Sequence, residues 1–116
     1  MELHCGEICW AVLDPVQDRD QSGRRPVLIV ASEEYLETVS TLAMVLPVTT
    51  VRRNWPNHVK LAGPTGLASD SWAMTEQLRT VARSRLVKPS GHVLPETMAA
   101  VRMYLADFLG FPAAGR

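Results

Sequence analysis

The sequence predicts a mainly β fold, a small SH3-like barrel or curled antiparallel sheet, with a C-terminal helix over about residues 95–109 packed on it. Two observations carry this. Several short apolar runs are bounded by turn residues, the pattern of a small barrel or curled sheet. Near the end, apolar residues recur at three- and four-residue steps, which is a helical stripe. A chain of 116 residues suits one domain, taken over 1–116, with one core.

The elements follow in order. Gly6–Leu13 alternates, with Ile8, Trp10 and Val12 on one face and Cys9, Ala11 and Leu13 on the other. Asp14-Pro15 ends that strand, and a polar loop runs from Val16 to Arg25. Pro26–Ala31 is the second strand, because proline tolerates a first strand position, where its missing donor does least harm. Glu33–Thr38 is a helical turn with Ser32 as its N-cap. Thr41–Val48 is a third strand, with Pro47 marking an edge or irregularity. A loop, Val51–Asn57, leads to a short strand at His58–Leu61 and a turn at Gly63-Pro64-Thr65-Gly66. Ser71–Arg79 reads as a further strand continuing into Thr80–Leu86. The last element has Pro95 at its first helical position. Met98, Val101, Leu105 and Phe108 form one apolar stripe with Leu109 beside them, expected to be core. Gly110 and Pro112 stop the helix.

Composition narrows the function classes. No stretch approaches the roughly 20 apolar residues that span a bilayer, and MELHCGEICW lacks the basic start and apolar run of a signal peptide. A cytoplasmic protein without membrane association is expected. If Cys5 and Cys9 lie on one strand, they stand about 13 Å apart, too far for a disulfide, which needs Cα atoms within about 7 Å. Only His4 is near them, so neither a metal site nor a cofactor is expected. Formal net charge is zero but unevenly spread. Residues 51–90 carry Arg52, Arg53, Lys60, Arg79, Arg83, Arg85 and Lys88 against Asp70 and Glu76. A locally basic face fits a polyanion or an acidic partner, and it fits plain solubility too.

Chemistry-bearing motifs are sparse. The sequence has no phosphate-binding glycine loop, no zinc-type cluster and no nucleophile–base pair with motif spacing. His4, His58 and His92 are scattered and read as surface or packing residues. The remaining candidates are polar residues at strand ends and loops. They are Asp18, Asp20, Gln21, Arg24 and Arg25, then Thr49 and Thr50, then Arg52, Arg53 and Trp55, and finally Glu76, Gln77 and Arg79. Pro26 biases Arg25 toward an extended backbone, a stiff mount for a guanidinium whose fork must be aimed. Arg24, its neighbour, is expected on the opposite side of that backbone. Trp55 among basic residues suits a stacking platform for an unpaired base. It equally suits packing beneath its own loop.

These residues carry a resemblance. From Gly6 to Gly110 the chain resembles the MazF/PemK toxin endoribonucleases of type II toxin–antitoxin pairs. Gly6-Glu7-Ile8 with Trp10 is similar to the family's opening strand, and Leu13-Asp14-Pro15 to its first loop entrance. Gln21-Ser22-Gly23-Arg24-Arg25-Pro26-Val27-Leu28 resembles the Q-G-G-x-R-P-V-L signature, and Pro47-Val48-Thr49-Thr50 resembles P-L-T-T. Asp70-Ser71-Trp72 and Glu76-Gln77-Leu78-Arg79-Thr80 resemble the D-S-x and D/E-Q-I-R-T segments. Pro95-Glu96 with Met98 resembles the last helix. Each piece is short; their order and spacing make the case.

The resemblance implies a sequence-selective, metal-independent endoribonuclease, an mRNA interferase, acting on single-stranded RNA. The ribose 2′-hydroxyl attacks the adjacent phosphate, leaving a 2′,3′-cyclic phosphate and a 5′-hydroxyl. It implies Arg25 and Thr49 as the catalytic pair. Arginine is a poor base, so Glu76 is a candidate general base. Asp20, Gln21, Arg24, Arg52, Arg53, Trp55, Gln77 and Arg79 become candidate RNA contacts. A homodimer and a cognate antitoxin with an acidic flexible C-terminal segment are implied partners. The same fold also serves gyrase-binding toxins without nuclease activity, which rely on a Trp-Gly-Ile-type C-terminus. This chain has no tryptophan after Trp72. A non-catalytic member binding only RNA or antitoxin is the other alternative, against which the retention of Arg25 and Thr49 argues. The chain also departs from its relatives. Many have Gly-Ser-Glu-Gln where it reads Asp18-Arg19-Asp20-Gln21, so a cleavage sequence does not transfer. Met74-Thr75-Glu76 lacks the arginine of an Arg-x-Asp pair, and Leu94 replaces the usual capping serine.

Overall fold

A computed structural model describes residues 1–13 and 23–112. Its elements are β1 (Glu7–Val12), β2 (Arg24–Ile29), α1 (Glu33–Thr38), β3 (Leu42–Thr49), β4 (His58–Lys60), β5 (Trp72–Met74), β6 (Arg79–Ala82), β7 (Leu86–His92) and α2 (Pro95–Leu109). A 3-10 turn, Thr75–Gln77, separates β5 from β6. The strands form one seven-stranded sheet in the order β4-β5-β3-β2-β1-β7, with β6 also paired to β3. Every pairing is antiparallel. The expected curled antiparallel sheet with a C-terminal helix is the observed fold.

Alternation along the strands sends side chains to two faces, and both faces are covered. On one, Cys9 and Ala11 of β1, Val27 and Ile29 of β2, and Ala43 and Val45 of β3 pack with Leu36 of α1. On the other, Ile8, Leu28, Leu46 and Val48 pack with Ala73 of β5 and with Met98 and Val101 of α2. That double burial explains why β2 reads as an unbroken apolar run rather than an alternating one.

Several boundaries differ from the sequence reading for local reasons. β2 starts two residues earlier than expected and stops at Ile29, because the N–H groups of Val30 and Ala31 both reach the Met44 carbonyl as the chain turns into α1. α1 is capped as expected, the Ser32 side chain accepting from the Tyr35 N–H. Arg83 donates to the carbonyls of Leu36 and Val39 near its other end, so this basic residue has a structural task. The long strand expected over Ser71–Arg79 is broken at Thr75, whose buried hydroxyl donates to the Asn57 carbonyl at 2.7 Å. β7 was hidden by Pro89 and Gly91. It lies at the end of the strand order, where proline costs least, and register shifts against β1 absorb Ser90 and Val87.

α2 begins at Pro95, and Leu94 supplies no side-chain cap. Gly110 closes it in the left-handed conformation, with φ +78°. The apolar stripe is only half covered. Met98 and Val101 are buried, Leu105 is partly buried, and Phe108 and Leu109 are 53% and 54% exposed. The expectation of a fully buried stripe fails at its last turn: α2 rests on the short β4 and the 3-10 turn, and there Phe108 and Leu109 line an open cavity instead of packing closed. Leu28→Ala should therefore cost about 2–5 kcal/mol of stability. Leu109→Ala should stay within about 0.5 kcal/mol. Urea unfolding monitored by circular dichroism separates the two.

Candidate functional site

The β2–β3 register sets Val27 opposite Pro47. Two residues back along β2 is Arg25, and two residues forward along β3 is Thr49, so the same register carries these side chains level with each other beyond the ladder. Both line an open cavity of about 600 Å³, together with Trp10, Arg24, Pro26, Thr50, Val51 and the 66–69 segment. Thr49 is held from its other side by pairing with Trp72 of β5. Its hydroxyl oxygen accepts the Val51 N–H at 3.1 Å, which leaves the hydroxyl proton available to a ligand. Arg25 pairs with Ala11 and Arg24 with Val12 on the β1 side. Both arginines are exposed at the first two positions of β2. Arg24 also lines the cavity, contrary to the expectation from alternation, because at the open end of a strand a long exposed side chain is not confined to one face of the sheet.

A second group gathers beyond the cavity, on the loop that Thr50 and Val51 begin. Asn54 holds a left-handed backbone, φ 60°, and its side-chain oxygen accepts from Arg52 Nε at 3.1 Å. Trp55 is half exposed, with the Arg53 guanidinium over its ring at 5.8 Å from the centroid. Its other neighbour is His58, with ring centroids 4.8 Å apart and planes tilted by 54°. His58 Nε2 lies 3.1 Å and 3.0 Å from Glu76 Oε1 and Oε2. Asn57 Nδ2 donates to Glu76 Oε1 at 2.8 Å.

Glu76 therefore stands apart from Arg25 and Thr49. It lines a different, largely apolar cavity of about 350 Å³ with Thr75, Leu78, Leu105, Phe108 and Leu109. Burial raises its carboxyl, but hydrogen bonds from His58 and from its own backbone N–H, the attraction of His58 and the Gln77 amide outweigh that, leaving it below the ordinary carboxylate value. The carboxylate is thus engaged by His58 and Asn57 on a cavity other than the one that Arg25 and Thr49 line. Gln77 is exposed beside it, and Arg79 lines a third small cavity with Val12, Leu13 and Arg85. Asp20 and Gln21 lie outside the described residues. The basic middle segment is not one continuous face: Lys60 meets Asp70 at 3.5 Å and Arg83 serves α1. The residue that sequence reading missed is His58. Its partner is eighteen positions away, and only the pairing of β4 with β5, which sets His58 opposite Met74, brings them together.

Among the described residues no group of three or more His, Cys, Asp or Glu is placed to hold a metal ion. No helix among them is long and apolar enough to cross a membrane.

Fold and cavity define a small antiparallel-sheet protein whose strand ends bring arginine and hydroxyl groups to one open cavity. The family described as PemK-like, MazF-like toxin of type II toxin–antitoxin system matches residues 4–109, and the chain belongs to it. It is 34% identical over 100 residues to endoribonuclease MazF9 of Mycobacterium tuberculosis, covering 81% of this chain and 85% of that one. It is 32% identical over 99 residues to endoribonuclease EndoA of Bacillus subtilis, covering 83% and 84%. The crystal structure of MazF from Deinococcus radiodurans superposes with a TM-score of 0.77 at 26% identity, covering 96% of this chain and 99% of that one. A mycobacterial endoribonuclease in complex with its cognate antitoxin, 24% identical with a TM-score of 0.76 and coverage of 96% and 98%, shares the fold.

The Glu76 pair has a consequence for stability. A carboxyl whose folded pKa is depressed contributes stability that is complete above its unfolded value of 4.5 and is lost as pH falls through the folded value. Glu76→Gln should therefore flatten the loss of stability in that acid window and narrow the gap from wild type there. Urea midpoints collected from neutral pH to below 4.5 test this.

Proposed function

We propose that this chain is the toxin of a type II toxin–antitoxin pair and acts in the cytoplasm, as one toxin domain, as a sequence-selective endoribonuclease on single-stranded RNA. The observation that carries the reading is the convergence of Arg25 and Thr49 on one cavity, made by two adjacent strands in register. Membership of the toxin family and likeness to chains named endoribonucleases support it.

The chemistry follows from the groups. The planar guanidinium of Arg25 matches two non-bridging phosphate oxygens bidentately. The Thr49 hydroxyl donates to the same phosphate. As the ribose 2′-oxygen bonds to phosphorus, negative charge builds on those oxygens, and donors fixed on a strand stabilise it without reorganising. The bond from phosphorus to the 5′-oxygen breaks, the 2′-proton is lost and the leaving oxygen gains one. The products are a 2′,3′-cyclic phosphate and a 5′-hydroxyl, with no metal required. Arg24, Arg52 and Arg53 extend the cationic surface along the bound RNA, and Trp55 offers it an aromatic face. A second copy completes a homodimer. The antitoxin covers the groove with an acidic segment that folds on binding.

Arg25→Ala should lower the single-turnover cleavage rate by about 10²–10³. Arg25→Lys should fall nearly as far, since it keeps charge but loses the fork. Thr49→Ser should retain more activity than Thr49→Ala. Mapping the ends of a long unstructured RNA cut in EDTA checks rate and chemistry together; full activity in both Arg25 variants defeats the assignment. Antitoxin binding to the same groove should weaken with added salt, as charge-steered complexes do. A titration across salt concentrations that showed constant affinity would contradict it.

A further inference from the structure

His58 is a costly choice for its place. Its side chain is 2% exposed, and Nδ1 is buried without a hydrogen-bond partner among the described residues. With Nε2 turned to the Glu76 carboxylate, Nδ1 is left without a partner on the other side of the ring. A buried polar atom left this way is unfavourable and asks for an explanation. An aliphatic side chain would fill the start of β4 without that cost. What the imidazole has that an aliphatic lacks is a hydrogen-bonded orientation and a flat ring, and the ring lies against Trp55.

The contacts form a chain. Asn57 and His58 both hold the Glu76 carboxylate, and Thr75 holds the Asn57 backbone. The His58 N–H closes the loop onto the Trp55 carbonyl at 3.0 Å. The tilt of His58 is set from below by the carboxylate, and the indole rests on it. Trp55, 49% exposed, has its outer surface shared only loosely with Arg53. A cation near an exposed ring contributes little, whereas a stacked base contributes more.

We propose that His58 is a positioning residue, oriented by Glu76, that fixes the indole of Trp55 as a stacking platform for one unpaired base of the RNA. The base takes the place Arg53 holds over the ring, and the released guanidinium meets a neighbouring phosphate. This rests on the ribonuclease reading and adds to it a base-binding position along the loop from the Arg25–Thr49 cavity.

The test uses the full chain labelled with 5-fluorotryptophan, the Trp55 fluorine resonance being identified by its loss in Trp55→Phe. The probe is a single-stranded oligonucleotide with deoxyribose at the scissile position, which binds and is not cut. In the wild type the Trp55 resonance shifts on adding it. His58→Leu, which fills the site, should move the Trp55 resonance toward that of free fluorotryptophan and weaken binding about tenfold, the order of one lost stack. Adding Trp55→Ala to His58→Leu should weaken binding no further, because the two act as one unit. The cleavage rate at saturating RNA should stay at the wild-type value, so that KM moves and kcat does not. Glu76→Gln, which keeps an acceptor for Nε2, should bind nearly as the wild type does. Glu76→Ala removes the anchor from the exposed side and should reproduce the His58→Leu shift even if His58→Leu fails to fold. Additive losses, an unmoved Trp55 resonance, or a fall in kcat alone would overturn the positioning role. A wild type that cuts RNA while His58→Leu and Glu76→Ala bind it unchanged also overturns that role and leaves the nuclease standing. A wild type that neither binds nor cuts RNA overturns the nuclease reading, and this inference with it.

Discussion

The structure depends on β2 being closed in on every side. Its edges are hydrogen-bonded to β1 and β3, and its side chains are buried alternately in two cores. A strand in that position has one register, because a slip by a single residue would exchange Val27 and Ile29 with Leu28 across the sheet. The two cores differ in size and in their covering helix, so the exchange would leave both badly filled. Placement of the arginine pair at the start of β2 is thus settled by packing several residues away.

From this constraint the cavity is built economically. β3 runs alongside β2 and ends level with Arg25, delivering Thr49 where β2 delivers that arginine. Neither group sits on a loop: Arg25 is the second residue of β2 and Thr49 the last of β3. Rigid mounts of this kind suit a site whose contribution is electrostatic stabilisation, where donors must already point correctly when charge develops. The Trp55 loop is mounted differently. It is anchored through side chains, by way of Asn57, His58 and the carboxylate of Glu76, and it hangs from β4 and the 3-10 turn rather than from the central ladder.

Local signals were legible where one interaction decided the outcome. Ser32 before Glu33, Pro95 opening a helix and Gly110 closing it each follow from a single backbone requirement, and all three stand where the residues indicate. That Arg25 and Thr49 belong together was suggested by the family resemblance, and the register of β2 and β3 sets them level on one cavity. Three things were not legible. β7 carries Pro89 and Gly91, and only its outer position in the sheet makes them tolerable. The exposed end of α2 depends on what the sheet side offers beneath its last turn, which periodicity within the helix does not report. The role of Glu76 depends on His58, and their meeting depends on β4 lying against β5. In each case the deciding partner is remote in sequence, so composition and period are silent about it.

The outer margins of the sheet have a consequence for how copies of the chain meet. Two of these margins are β4, three residues long, and β7, interrupted by a proline and by shifts in its pairing. An unguarded β margin recruits further strands and polymerises; a short or kinked one refuses them. Extension of the sheet past β4 or β7 is therefore disfavoured. Copies that meet at these two margins would do so through side-chain surfaces, not through a continued ladder.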